Sequence, residues 1–282
     1  HYDDGAVYGF PTKYENSRWI LINEDMFKEA GLDIPYDGWT YSEFLADAEK
    51  LTHGEGQDKV YGVCWARKQS GKSILYALDG VLGANQIYKN EEGTEVNFDN
   101  DVYRAGLNLV KETLDKGYAI PIEDEFSEDI SVANTFLQGK CAIMLGVAQM
   151  RLCMDQENYP HDFMTALVPA PVPDDEKYNT EFYRKQIGTT GAGDLLSISA
   201  NTKYPEASFE FAMWYLKGGM SPLVQGGRIP LWNGVNKDEV LSVLKEKAQG
   251  SIDMDSMENY LSLDTTQGVA AIKGHASSEI SS

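Results

Sequence analysis

Three pairs of adjacent carboxylates, Asp3/Asp4, Asp124/Glu125 and Asp174/Asp175, are the first residues that could do chemistry. Glycoside hydrolysis would need two carboxyls about 5–9.5 Å apart across a cleft. All three pairs lie in polar, loop-like sequence, where solvated charge is the simpler reading. The histidines, His1, His53, His161 and His275, are far apart and share no metal-ligand spacing. No HExxH, no G-x-S-x-G and no Cys/His signature occurs, so no enzyme class gains positive support. The stretch Gly188–Gly193, GTTGAG, looks like a phosphate-cradling loop. It precedes the apolar run Leu195–Ile198, whereas a dinucleotide fingerprint follows a strand and opens a helix. Its glycines fit a loop whose backbone N–H groups come close to a ligand.

Cys64, Cys141 and Cys153 form no metal spacing, and an odd count cannot all pair within the chain. Cys64 and Cys141 stand in apolar runs and read as small buried hydrophobes. That reading mildly disfavours a strongly oxidising compartment.

The aromatic residues carry the better signal. Tyr14, Trp65, Trp232 and Tyr260 fall at or beside expected strand ends and loops rather than on periodic apolar faces. Packing accounts for any one of them alone. Together with Glu15, Arg67, Gln149 and Arg228 they form a set suited to a carbohydrate. Sugar rings stack their C–H faces on aromatic planes, and their hydroxyls pair with charged or amide groups.

Composition narrows the partners. Lys and Arg number 24 against 44 Asp and Glu, a formal net charge of -20. Phosphate neutralisation needs clustered cations, so the charge argues against nucleic acid or anionic membrane as partner. The apolar fraction is 42% and the mean hydropathy -0.39, values of a globular chain with a sizeable core. No run of 18 apolar residues occurs to span a bilayer.

These side chains must be positioned by an alternation of strands and helices. The centre of the pattern is TFLQGKCAIMLGVAQM, Thr135–Met150. It reads as a helix end, a glycine turn, a strand at Cys141–Leu145 apolar on both faces, a second glycine and a new helix. Ligands in open α/β sheets collect at the C-terminal ends of strands, which places a site around Gly146–Gln149. Strands are also expected at 19–22, 60–65, 163–168 and 195–198, and a hairpin at 87–98. Asn23 and Asp99 or Asn100 are expected helix caps, and Thr40-x-x-Glu43 a capping box. Helices follow at 24–30, 40–53, 74–82, 100–116 and 237–248. In the 100–116 helix, Val102, Leu107, Leu109, Val110 and Leu114 face inward. Pro205 opens another helix with a large apolar surface, while 249–268 shows little pattern. The fold class is α/β.

The order of motifs resembles a known family. Tyr8-Gly9-Phe10-Pro11 comes first. A strand then leads into Asn23-Glu24-Asp25-Met26-Phe27 and Ala30-Gly31-Leu32. Trp39-Thr40-Tyr41-Ser42-Glu43-Phe44 comes before Ala48-Glu49-Lys50-Leu51-Thr52. Phe136, Gly139, Lys140, Ala142 and Met144 follow an F-x-x-G-x-x-A-M pattern. Gly191 through Ile198, Pro205-Glu206-Ala207 with Phe209 and Phe211, and the loop Ile229-Pro230 complete the set. Over residues 8 to about 235 this is similar to the family-1 extracellular solute-binding proteins of ABC importers, the maltose-binding-protein-like group.

The resemblance implies a type II periplasmic-binding-protein fold of two α/β lobes. Residues 12–196 and 231–282 would form mostly the second lobe. Residues 1–11 and 197–230 would supply hinge strands and part of the first lobe. It also implies an internal piece of a longer chain, with the apolar face of 205–216 left unusually exposed. The implied function is capture of a carbohydrate, an oligosaccharide, for ABC permease subunits. The protein would be a non-enzymatic monomer outside the cytoplasmic membrane, lipid-anchored or periplasmic, with no cofactor. The alternatives are another solute, such as a polyol phosphate or a polyamine, and a carbohydrate-active enzyme. The implied ligand residues are Glu15, Trp65, Arg67, Gln149, Gly191, Gly193, Arg228, Trp232 and Tyr260. Gln149 stands where many sugar-binding members have a stacking Trp, and Tyr260 is placed by spacing alone.

Overall fold

The computed structural model describes residues 7–14, 19–65, 94–97, 99–121, 132–146, 149–184, 195–219, 221–230, 232, 234–248 and 250–262. The expected helix at 74–82, most of the hairpin at 87–98 and the apolar run Val269–Ile272 lie outside the described residues.

The body is a four-stranded sheet. Its strands are β3 (Trp19–Asn23), β4 (Tyr61–Cys64), β5 (Cys141–Leu145) and β6 (Thr165–Pro169), in the order β4-β5-β3-β6. β4 and β5 are parallel, and β3 runs antiparallel to both β5 and β6. β4, β5 and β6 therefore end at the same edge, where β3 begins. Along β3, Ile20 and Ile22 enter one core while Trp19 and Leu21 enter the other. A strand buried on both faces has this two-sided alternation.

One face is covered by α1 (Glu24–Glu29), α2 (Tyr41–Leu51) and α3 (Asp101–Asp115), through Phe27, Phe44, Ala48, Leu51, Val102 and Leu109. The Asn23 side chain accepts from Met26 N–H at the start of α1. Thr40 and Glu43 close the expected capping box on α2. Asn100 caps α3, and Gly117, at φ +69, follows its end. Leu107 corrects one expectation: it is exposed, on the outer side of α3.

The other face carries α4 (Val132–Leu137), α5 (Met150–Cys153), α8 (Lys237–Ala248) and α9 (Met254–Ser262), through Phe136, Met150, Leu244, Met257 and Tyr260. α9 falls in the stretch expected to be unpatterned. Its buried face includes Ser256, whose hydroxyl donates to Asp253 O and accepts from Leu167 N–H, so a hydrophobic count misses it.

The cysteine reading is also corrected. Cys64 and Cys141 are buried, as expected, but joined by a disulfide across 77 residues of chain. Cys153 is free, and burial pushes its thiol up to about 12.

Two short antiparallel pairs lie apart from the sheet. β1 (Phe10–Pro11) pairs with β7 (Leu195–Leu196), and β2 (Lys13–Tyr14) pairs with β8 (Ile229–Pro230). α6 (Glu181–Arg184) packs beside α2, where Arg184 Nη1 donates to Gly38 O at 2.7 Å. Between β7 and β8 stands α7 (Pro205–Trp214), continued by a π-turn over Tyr215–Gly219. The expected exposure of its apolar face is observed: Phe211 is 59% and Trp214 61% exposed, and Phe209 is exposed beside them.

Candidate functional site

The strand-end edge of the sheet gathers several expected site residues. Leu145 is opposite Ile20, Cys64 opposite Met144, and Trp19 opposite Pro169, so β4, β5 and β6 finish level with the start of β3. The chain reaches β3 from β2, whose Tyr14 pairs with Ile229 of β8. The β2–β8 pair therefore leads to the edge where solutes collect in α/β sheets.

Gly146, at φ +109, turns the chain out of β5, and a side chain there would be strained whatever the space. The turn is closed by Gln149 N–H donating to Gly146 O at 2.9 Å. Gln149 is thereby set at the start of α5, half-buried. Its side-chain amide has no partner among the described residues. Arg228 is held by its own N–H donating to Leu223 O at 3.1 Å, and the preceding Gly227 takes φ +74. A Cβ on Gly227 would sit 3.1 Å from Arg151 Cβ, so this turn is packed on α5. Arg228 thus follows a glycine packed on α5, and Gln149 precedes α5. The Arg228 side chain is half-buried and pairs with no described acidic residue.

Trp232 follows β8 by two residues and is 42% exposed. Its ring rests against Gly234, where a Cβ would be only 2.3 Å from the indole. Val235 N–H donates to Trp232 O at 3.0 Å and closes the turn. The result is a large aromatic surface backed by main chain and open to solvent.

The other expected residues divide into two groups. Trp65 and Tyr260 are core residues here, a correction to their reading as ligand aromatics. Trp65 stands at the end of β4, but it is 8% exposed, packs on Phe44 and donates its indole N–H to Thr113 Oγ1 at 2.8 Å. Tyr260 is 1% exposed and lies edge-on to Trp19, 5.3 Å between ring centres. Glu15, Arg67, Gly191 and Gly193 lie outside the described residues.

A cavity of about 430 Å³ is lined by Arg151, Leu152, Asp155, Gln156, Gln225 and Lys247 among others, next to the Gly227–Arg151 contact. None of the expected ligand residues lines it. Among the described residues, no group of His, Cys, Asp and Glu is arranged to hold a metal ion.

The described residues thus form a mixed sheet with helices on both faces and two short strand pairs beside it. The chain belongs to the bacterial extracellular solute-binding protein family, which it matches over residues 2–217. Its fold is periplasmic-binding-protein-like. It is similar to a sugar transporter from Rhizobium etli in an open conformation, at 17% identity and TM-score 0.71, covering 99% of this chain and 65% of that one. It is also similar to an ABC substrate-binding protein from Listeria monocytogenes in complex with cycloalternan, at 18% identity and TM-score 0.64, covering 97% and 63%. A third is the cyclic alpha-maltosyl-1,6-maltose binding protein of Arthrobacter globiformis, at 15% identity and TM-score 0.65, covering 99% and 65%. The chain thus spans under two thirds of the length of these relatives. No curated protein sequence matches it.

Proposed function

We propose that this chain is part of an extracytoplasmic protein that captures a carbohydrate, an oligosaccharide, and delivers it to ABC permease subunits. The observation that carries the reading is the solvent-open Trp232 ring on the chain leaving β8, with Arg228 at the entry to β8 and Gln149 on the turn leaving β5, both of these side chains without a partner among the described residues. A ring face for stacking, a fork of N–H donors and an amide are the groups that a pyranose and its hydroxyls need. Trp232 takes the stacking role that Gln149 cannot, and Gln149 offers a polar contact instead. Glu15, Arg67, Gly191 and Gly193 complete the proposed set by resemblance.

A relative in complex with cycloalternan and one named for binding cyclic alpha-maltosyl-1,6-maltose support the sugar class. The protein works by binding and release, as a monomer. A solute held between the lobes stabilises their closed arrangement through contacts made only there. Hydrolysis would call for a raised carboxyl at the site, and the described carboxyl pushed well up, Asp47, stands on α2.

Calorimetry of the full chain against a panel of linear and cyclic gluco-oligosaccharides tests this. Saturable binding of at least one glycan without hydrolysis is expected, weakened in Trp232→Ala. Binding of a polyamine or a polyol phosphate, with no response to any sugar, would overturn it.

A further inference from the structure

We infer that Gly234 is a positioning residue that fixes the Trp232 indole as a solute-facing platform. The inference rests on the proposed carbohydrate function, and its first readout needs no ligand.

Glycine is often required for its backbone, but not here. The φ of Gly234 lies outside the left-handed region, so an L side chain would be tolerated on conformational grounds. What excludes a side chain is the ring. A Cβ at 234 would lie 2.3 Å from Cζ2, 2.5 Å from Cη2 and 2.7 Å from Cε2 of Trp232. Contacts that short are prohibitive, and all three atoms belong to the indole. The benzene portion of the indole therefore rests on the bare main chain of residue 234.

This contact positions an exposed ring. Trp232 is exposed, and its side chain makes no hydrogen bond with a described residue. The turn that carries both residues is closed by Val235 N–H to Trp232 O, and β8 ties it to β2. The turn's hydrogen bond and the ring's contact with residue 234 thus hold the indole against the main chain. A ring held in place loses little freedom when a sugar stacks on it, which is the advantage of preorganisation. A methyl group at 234 must push the indole off its seat while leaving the turn's hydrogen bond available.

The test uses the full chain as wild type, Gly234→Ala, Trp232→Ala and the double variant, with Trp232→Phe as a spectroscopic blank. Subtracting the blank isolates Trp232 emission from the other tryptophans. Without ligand, Gly234→Ala should make that emission more accessible to acrylamide, with the unfolding midpoint unchanged. Unchanged quenching would overturn the inference. With a bound oligosaccharide, Gly234→Ala should weaken affinity about tenfold, the scale of one aromatic contact. In the Trp232→Ala background the same change should cost less than about twofold, because residues acting through one contact are non-additive. An equal loss in both backgrounds would mean that Gly234 acts on the fold rather than on the ring, and would also overturn it. If quenching responds but wild type binds no sugar, the carbohydrate reading fails and the positioning of the ring stands.

Discussion

α2 and α7 are of similar length and similarly rich in large apolar residues, yet their surroundings are opposite. In α2, Tyr41, Phe44, Ala48 and Leu51 fall on one stripe and are buried against the sheet. In α7, Ala207, Phe209, Phe211, Ala212 and Trp214 wrap around the helix, and only Ala212 is buried. Both helices also have a sequence signal at their start, a capping box in α2 and Pro205 in the first turn of α7. Local signals thus form both helices, but they do not determine what covers each one. A narrow stripe calls for one neighbour, which α2 has in β4 and β5. A helix apolar nearly all round calls for cover on several sides, and α7 has none over Phe211 and Trp214.

The comparison can be broken most easily by truncating one aromatic in each helix. Phe44→Ala should lower stability by about 3–5 kcal/mol, because a fully buried ring leaves a cavity. Phe211→Ala should change it by less than about 0.5 kcal/mol, as exposed positions do. Urea unfolding of the two variants checks this, and equal losses would mean that α7 is covered in solution.

A smaller effect sharpens the same contrast from the side of α2. Burial, with Glu43 and Asp33 adding and Lys50 opposing, pushes the Asp47 carboxyl from 3.8 to about 6. The folded chain holds this proton more tightly than the unfolded chain. This group's contribution to stability is therefore fully present below pH 4 and is lost as pH rises through 6. Asp47→Asn should remove that loss. Since water still screens this half-buried site, the gain at pH 8 should be about 0.5 kcal/mol, with none at pH 4. Urea midpoints at the two pH values measure it, and an equal shift at both would exclude titration as the cause.

Much of the sheet was legible because its determinants are local. Cys141–Leu145 is a short apolar run bounded by glycines, and Asn23, Thr40 and Asn100 sit beside the helices they cap. α9 was not legible because Ser256, a polar residue, occupies its buried face and is satisfied by groups on Asp253 and Leu167. The candidate site shows the same division. Trp65 and Tyr260 resemble Trp232 in sequence context, but their rings are turned inward by Thr113 and Trp19, far along the chain. Trp232 stays outward through Gly234, two residues away, a cue that can be read directly. The Cys64–Cys141 pairing is set by the approach of β4 to β5, which the parity of three cysteines cannot reveal.

In the proposed function, solute binds at the strand-end edge beside the β2–β8 pair, and not on the exposed face of α7. Amide hydrogen exchange, with and without a bound oligosaccharide, tests it most directly. The account predicts slowed exchange over 145–150 and 228–235, with 205–214 unchanged. Protection confined to 205–214, or absent from both strand-end segments while sugar is bound, would contradict it.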